Sequence, residues 1–243
     1  GYIGLRGAAY ESPASRIHYP GTYMAGGYNK LPTQIAGKKI YNEDLVNFPN
    51  CLPVTFKTEN GEWFSPSRSK IIFYRQILDM HKGALKRRVR FQNKAGQRFT
   101  VETTRIVSMH DRHLISFKYV ITPENYTGFI TVKTILDGAV TNSGVERYKQ
   151  LSSKHLVPLS IGDFDSNGAY LFMKTSQSKI AFAQASRVRI FSSGKEKKLK
   201  IKSISKGRET IARIFNLHVE KGKSYEIEKT VSVYTSKDTK DPL

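Results

Sequence analysis

Residues 85–107 read LKRRVRFQNKAGQRFTVETTRIV, and this stretch decides the fold. Its first half places Leu85, Val89 and Phe91 on one face of an extended chain, because side chains alternate between the two faces of a strand. The second half does the same with Phe99 and Val101. Two strands with apolar faces, separated by a short polar segment containing Gly96, predict an antiparallel β-hairpin.

The register of this hairpin follows from matching the two apolar faces. The match requires paired residue numbers that sum to 190, which sets three pairs opposite one another: Phe91 with Phe99, Val89 with Val101, and Arg88 with Glu102. Opposite charges across two strands stabilise the pairing on the solvent side. Because the numbers of each pair add to an even value, the loop between the innermost pair has an odd number of residues, three or five. We expect Gly96 to adopt a positive φ in this loop.

The same two-residue period continues along most of the chain, with Gly, Pro, Asn and Asp between the apolar runs. We predict further strands at Val54–Thr58, Ile71–Leu78, Leu114–Ile121, Gly128–Leu136, Ala169–Thr175, Ile180–Arg189, Lys198–Ile204, Thr210–Val219 and Ser224–Tyr234. Residues 1–50 predict irregular structure, and residues 143–160 a loop or short helix. No segment has helical periodicity over three turns. The pattern predicts an all-β fold, a large two-sheet antiparallel β-sandwich.

Composition excludes several classes of protein. The 243 residues contain one cysteine, Cys51, so an intramolecular disulfide framework and a cysteine-based zinc cluster are excluded. A single thiol fits a reducing compartment, and we expect a cytoplasmic location. No apolar run is long enough to span a membrane. The net charge of +20 suggests a polyanion partner, but the basic residues are spread along the chain and no nucleic-acid-binding motif is present. Nucleic-acid binding is therefore not our prediction.

Two arginines, Arg87 and Arg105, fall on the apolar faces of the hairpin strands. A buried guanidinium needs an anion or several carbonyl groups. We expect structural ion pairs with residues such as Asp79 or Asp111, and the alternative is a contact with an anion or a sugar.

Metal binding is not predicted at either of two candidate sites. The spacing of His110 and His113 would suit a helix, but these residues precede a strand, where positions i and i+3 face opposite sides. A second cluster, of Asp163, Asp165 and Asn167, copies part of a calcium loop but lacks the distal glutamate, so a turn is expected there.

Four segments in order resemble the N-terminal domain of glycoside hydrolase family 65. They are GYIGLRG at 1–7, LVNFPN at 45–50, LDMHKGAL at 78–85 and RIVSMHDRH at 105–113. The resemblance runs from Gly1 to about Asp238, where TSKD is similar to the end of that domain. It implies one domain over residues 1–243 with a galactose-mutarotase-like super-sandwich, truncated at its N-terminus.

The resemblance also implies a function. In that family, which holds disaccharide phosphorylases and some hydrolases, an (α/α)6 barrel after this domain holds the catalytic residues, and inorganic phosphate is the co-substrate of the phosphorylases. The resemblance implies a non-catalytic domain of a phosphorylase or hydrolase of α-glucosides, which packs on the barrel and shapes the rim of its active site. We therefore expect no catalytic residue, metal or cofactor here. The implied partners are the barrel, an α-linked glucose disaccharide and a second copy in a homodimer. The alternatives are a stand-alone carbohydrate-binding or mutarotase-like domain, for which His218 and Glu220 share a strand face, and a basic polyanion binder.

Residues 1–50 are rich in glycine and tyrosine, and we interpret them as an interface. Aromatic rings with a polar tip suit both sugar stacking and protein contacts. The candidate residues for a carbohydrate or domain interface are Arg6, Tyr19, Tyr23, Tyr28, Asn47 and Asn50. The alternative, that these side chains only cap the core of the sandwich, remains open.

Overall fold

The structure is a computed structural model that describes residues 1–15, 18–142, 151–198 and 201–243. Its described residues form seventeen strands and one 3-10 turn, Pro66–Arg68. The strands are β1 (Ile3–Leu5), β2 (Thr22–Met24), β3 (Tyr28–Ile35), β4 (Lys38–Leu45), β5 (Val54–Thr58), β6 (Lys70–Asp79), β7 (Ala84–Gln92), β8 (Arg98–Val107), β9 (Leu114–Pro123), β10 (Gly128–Asp137), β11 (Leu156–Phe164), β12 (Gly168–Thr175), β13 (Ala181–Ser192), β14 (Lys195–Lys197), β15 (Ile201–Lys206), β16 (Thr210–Val219) and β17 (Tyr225–Thr235). Across these described ranges, no helix is long and apolar enough to cross a membrane.

Two antiparallel sheets form the sandwich. The large sheet has nine strands in the order β11-β12-β13-β17-β9-β8-β7-β6, with β14 paired to β13. The small sheet has four, in the order β15-β16-β10-β5. Two further ribbons, β1-β2 and β3-β4, lie outside these sheets. The prediction of an all-β antiparallel sandwich is confirmed.

The hairpin that decides the fold has the predicted register. Phe91 pairs with Phe99, Val89 with Val101 and Arg88 with Glu102. The loop comprises the five residues between Gln92 and Arg98, and Gly96 has a φ of +77°. The apolar face of the hairpin points into the sandwich, because Val89 and Val101 are fully buried while Arg88 is exposed.

Aromatic side chains join the two sheets at this end of the core. Phe56 on β5 packs against Phe99 and Phe91 of the large sheet, with ring centroids 5.2 Å and 6.1 Å apart. Phe64 stacks on Phe91 at 3.6 Å. Each buried phenylalanine contributes about 1.5–3 kcal/mol to folding through removal of apolar surface from water.

The prediction for residues 1–50 was wrong in part. Tyr28–Leu45 forms a hairpin, β3-β4, whose Ala36-Gly37 turn has positive φ at both residues, 48° and 76°. That geometry is typical of a tight type I′ turn, which usually carries Asn or Asp before the glycine. Alanine at the first position gives no turn signal, and Pro32 within β3 argues against a strand.

The prediction of a loop or short helix at residues 143–160 also needs correction. Strand β11 starts at Leu156 and pairs with β12, with a bulge near Pro158 that interrupts the two-residue period. Residues 143–150 lie outside the described part of the chain, as do residues 199–200 in the predicted strand Lys198–Ile204. The described part of that strand, β15, extends to Lys206.

The edge strand β6 differs from the others in its exposure. Large apolar side chains remain exposed on both of its faces: Ile71, Ile72, Phe73, Ile77 and Leu78. Among the described strands it pairs with β7 alone, so within this part of the chain its other edge offers unpaired backbone groups.

A lysine in the core links the two sheets. Lys229 on β17 is buried, and its Nζ donates hydrogen bonds to the carbonyl oxygens of Cys51 at 2.7 Å and Ile135 at 2.8 Å. Burial lowers the pKa of Lys229 to about 8 because the charged form loses its hydration.

The lowered pKa of Lys229 predicts a pH-dependent stability. Between pH 8 and about 10.4 the unfolded chain holds a proton that the folded chain has lost, so the free energy of unfolding rises with pH. We expect this lysine to contribute a rise on the order of 2 kcal/mol between pH 8 and 9.5. Urea unfolding of the natural chain and of Lys229→Met at several pH values measures it. Identical pH profiles for the two proteins would contradict this prediction, and Lys118→Met, on the solvent side of β9, is the control.

Candidate functional site

Three of the predicted interface residues meet on one surface. The Arg6 guanidinium carbon lies 4.6 Å from the centroid of the Tyr19 ring and 5.8 Å from that of Tyr23. Both tyrosines are half-buried, and Arg6 is exposed. We call these three residues the Arg6 surface. A guanidinium held against aromatic faces gains cation–π stabilisation and keeps its N–H groups for a partner.

Backbone pairing brings the Arg6 surface together. Strands β1 and β2 pair with Leu5 opposite Thr22, and the Arg6 amide then donates a hydrogen bond to the Gly21 carbonyl at 2.9 Å. A side chain at Gly21 would clash, because a Cβ built there falls within 3.0 Å of atoms of Tyr23 and Arg6. Glycine at this position lets the arginine and the tyrosine approach each other.

Asn47 holds this surface from below. It is buried, and its side-chain oxygen accepts a hydrogen bond from the Thr22 amide at 3.0 Å. Its Nδ2 donates to the carbonyls of Pro20 and Thr141, and Tyr19 donates its hydroxyl to the same Thr141 oxygen at 2.9 Å. Asn47 therefore crosslinks three backbone segments, and the structure does not place it where a ligand could reach it.

The remaining two interface candidates lie elsewhere. Asn50 is buried, and its side-chain oxygen accepts a hydrogen bond from the Leu52 amide at 3.0 Å, so it shapes a turn. Tyr28 is 49% exposed at the start of β3, apart from the Arg6 surface. Its neighbour Asn29 is buried and accepts hydrogen bonds from the amides of Gln177 and Ser178, which fixes the β3-β4 hairpin to the sandwich.

A buried ion pair anchors the chain that carries Arg6. Arg87 binds Glu11 through two hydrogen bonds, Nη1 to Oε2 at 2.8 Å and Nη2 to Oε1 at 2.6 Å. Tyr119 donates its hydroxyl to the same carboxylate at 2.7 Å. Burial alone would lower the pKa of Arg87, but the Glu11 carboxylate raises it above its usual value. A bidentate pair with a third hydrogen bond is the arrangement that offsets the cost of burying two charges.

The expected partners of Arg87 need correction. Asp79 lies at the surface, where it accepts a hydrogen bond from the Lys82 amide and pairs with Lys86 at 3.4 Å. Asp111 caps its own turn by accepting from the His113 amide at 3.0 Å. Both aspartates are bound by nearby backbone in their own turns, and Glu11, 76 residues from Arg87, takes the buried position.

Arg105 is buried without a carboxylate partner among the described residues. Its guanidinium carbon lies 5.5 Å from the ring centroid of Tyr10, and Arg87 lies 5.4 Å from the same ring. Burial lowers the pKa of Arg105. Tyr10 thus lies close to two guanidinium groups inside the core, and its aromatic ring replaces part of the stabilisation that an anion would supply.

The other chemistry-bearing residues are engaged in structural contacts. His113 hydrogen-bonds to the Val233 carbonyl at 2.8 Å and stacks on Tyr234, and Asp165 pairs with Arg187 at 2.7 Å. His218 packs edge-on to Phe129, and Glu220 pairs with Lys223. Within the described ranges, no three His, Cys, Asp or Glu side chains converge as metal ligands.

Comparison with known proteins gives one family over the whole chain. The family model described as "Glycosyl hydrolase family 65, N-terminal domain" matches residues 1–243. An uncharacterized glycosyl hydrolase of Mycobacterium tuberculosis is 36% identical over 238 residues, which cover 98% of this chain and 18% of that protein.

Two named enzymes are also similar. A kojibiose phosphorylase of Halothermothrix orenii is 31% identical, with 98% of this chain and 28% of that protein covered. A trehalose 6-phosphate phosphorylase of Lactococcus lactis is 33% identical, with 100% and 30% covered. The solved structure of a "putative kojibiose phosphorylase from human microbiome" aligns with a TM-score of 0.80 at 18% identity, over 98% of this chain and 29% of that one. The chain thus spans less than a third of the length of these relatives.

The Glu11–Arg87 pair predicts a large effect of removing one partner. Arg87→Met leaves the Glu11 carboxylate buried and uncompensated, and we expect it to lower the free energy of unfolding by about 3–5 kcal/mol. The neighbouring Arg88→Met is the matched control, because Arg88 pairs with Glu102 in solvent at 3.6 Å and such pairs contribute about 0–1 kcal/mol. Urea denaturation measures both. The double variant with Glu11→Gln should cost less than the sum of the single changes, and additive costs would mean that the two residues do not interact.

Proposed function

The chain belongs to glycosyl hydrolase family 65 as an N-terminal domain, and from this we propose that residues 1–243 form a single non-catalytic domain of a disaccharide phosphorylase. One observation carries the proposal: relatives named as kojibiose and trehalose phosphorylases match nearly all of this chain, which accounts for less than a third of each. The substrate we propose is an α-linked glucose disaccharide of the kojibiose or trehalose type.

In the proposed enzyme, inorganic phosphate is the co-substrate, and the reaction needs no other cofactor. A phosphate oxygen bonds to the anomeric carbon as the glycosidic C–O bond breaks, and a carboxylic acid gives its proton to the leaving oxygen. We place that acid in an (α/α)6 barrel outside residues 1–243 and assign no catalytic residue to this chain. The buried free thiol of Cys51 supports a cytoplasmic location for the enzyme.

We propose that the Arg6 surface packs against that barrel and shapes the rim of its active site. Tyrosine and arginine are enriched at protein interfaces, where they give large contact area at low entropic cost. Asn47 and Glu11 hold the surface rigid, so little ordering is required on contact. The segment that follows β17 contacts the turn after β2, since Lys237 donates a hydrogen bond to the Gly26 carbonyl at 2.6 Å.

A homodimer through the exposed apolar residues of β6 is part of the same proposal. Contiguous exposed apolar side chains on a sheet edge usually mark a contact. If the full-length protein sediments as a monomer, the homodimer is ruled out, and the proposal of a non-catalytic domain is unaffected.

The isolated chain should not catalyse the reaction. Incubated with kojibiose, trehalose or maltose and inorganic phosphate, the purified 243-residue chain should release no glucose or glucose 1-phosphate above the blank, because its described residues form strands and one 3-10 turn and no α-helix of a barrel. An enzyme-coupled assay for both products measures this, with the full-length protein as the positive control. Product formation by the isolated chain would overturn the non-catalytic role.

The Arg6 surface is tested in the full-length protein. We expect Tyr23→Ala to lower kcat/KM about tenfold, since truncation of a central interface residue costs on the order of 1–2 kcal/mol. The melting temperature of the isolated domain should stay the same within the scatter of a surface substitution. The matched control is Tyr41→Ala on β4, where the tyrosine is 55% exposed. Equal kinetics for Tyr23→Ala and the natural enzyme would mean that this surface contacts nothing of consequence.

A further inference from the structure

The outer face of the small sheet carries a groove that the proposed function does not use. Strands β5, β10 and β16 place Lys57, Thr131 and Asn216 side by side, because Thr131 pairs with both of the others. Along β10, Phe129 and Lys133 lie two residues to either side of Thr131, and Trp63 lines the same groove. We call this the Trp63 groove. Its lining residues include Lys57, Trp63, Phe129, Thr131, Lys202 and Asn216.

Two lysines share one indole ring beside this groove. The Nζ of Lys133 lies 4.2 Å from the ring centroid of Trp63, and that of Lys57 lies 5.6 Å away. Burial, and then the charge of Lys57, lowers the pKa of Lys133. The indole face attracts both ammonium groups and holds them close together in spite of their repulsion.

Neither lysine has an anionic partner in the described part of the chain. No carboxylate of the described residues lies within 4.0 Å of Lys57 or Lys133, although Glu59 lines the same groove. Elsewhere Lys86, Lys94 and Lys118 each pair with an acidic side chain. A third lysine, Lys202, also faces the groove. A concentration of uncompensated positive charge in a partly desolvated concave site favours an anionic ligand.

The rest of the groove suits a sugar rather than a bare anion. Phe129 is 51% exposed and lies nearly perpendicular to the His218 ring, with centroids 5.1 Å apart, so about half of its surface is accessible to a ligand. Thr131 donates its hydroxyl to the Asn216 side-chain oxygen at 3.0 Å, which fixes the amide and leaves Asn216 Nδ2 as a donor. An aromatic face beside fixed polar groups is the usual arrangement for binding a small polar molecule.

We propose that the Trp63 groove is a binding site for a sugar phosphate. The phosphate lies between the ammonium groups of Lys57 and Lys133, and the sugar ring packs on Phe129 within reach of Asn216. A single-stranded nucleic acid needs successive rings on which its bases stack. Here the two lysines lie against the Trp63 ring, and Phe129 is the one other aromatic residue among the described residues that line the groove, which favours a small ligand.

Trp63 is the only tryptophan of the chain, so its fluorescence reports on this groove alone. The 243-residue chain is titrated at constant ionic strength with glucose 6-phosphate, inorganic phosphate, glucose and a single-stranded oligonucleotide. Calorimetry detects any binding that leaves the fluorescence unchanged. We expect saturable binding of glucose 6-phosphate, at least fivefold weaker binding of inorganic phosphate, and no binding of glucose.

Variants locate the binding. Lys133→Met should weaken glucose 6-phosphate binding about tenfold or more, because a charge-assisted contact contributes about a factor of ten in affinity. Phe129→Ala should weaken it to a similar extent, because the sugar loses the ring on which it packs. The matched control is Lys39→Met, since Lys39 lies 5.4 Å from the Tyr41 ring and outside the groove. Circular dichroism checks that each variant is folded. Three outcomes would overturn the proposal: equal affinity for inorganic phosphate and glucose 6-phosphate, preference for the oligonucleotide, or equal loss in the Lys39→Met control.

Discussion

A sheet of nine strands faces a sheet of four, and this mismatch governs the rest of the molecule. The apolar face of a sheet must be covered, and the small sheet is too narrow to cover all of its partner. The N-terminal segment supplies part of the missing layer, with Ile3, Tyr10 and Glu11 buried against the large sheet. Between its short strands this segment is irregular, because it covers the face of the large sheet and does not pair with the edge of that sheet as a further strand. Its order depends on what holds it there.

A buried ion pair holds the N-terminal segment against the large sheet. Glu11 is the buried carboxylate that binds Arg87, and the Tyr10 ring contacts the guanidinium groups of both Arg87 and Arg105. A buried ion pair adds little net stability compared with apolar packing, but it specifies one arrangement, because any shift of the segment leaves a charge unpaired. Lys229 acts similarly between the sheets, since it extends from β17 of the large sheet and binds carbonyl groups of Cys51 and Ile135 on the side of the small sheet. The position of the Arg6 surface is therefore set by contacts made inside the sandwich.

The sequence alone predicted what depends on local periodicity. The pairing of Phe91 with Phe99 and the positive φ of Gly96 followed from matched faces and a loop of fixed parity. Sequence reasoning missed the β3-β4 hairpin, since its Ala36-Gly37 turn carries no recognised signal. It flagged Arg6, Tyr19 and Tyr23 separately, and their approach depends on the pairing of β1 with β2. The role of Glu11 could not be predicted from the sequence, because no local pattern around Glu11 indicates that it contacts Arg87 on β7, 76 residues away.

The exposed edge of β6 gives the high net charge a physical role in solution. An edge strand that is paired on one side only among the described residues, with apolar side chains on both faces, is a template on which further copies can add. Molecules that each carry +20 repel one another over a distance of about 8 Å at physiological ionic strength. The lysines and arginines of the outer faces thus act as a colloidal barrier against edge-to-edge growth. The salt concentration of the buffer, which screens the repulsion between these molecules, therefore controls how long the chain stays in solution and when it crystallises.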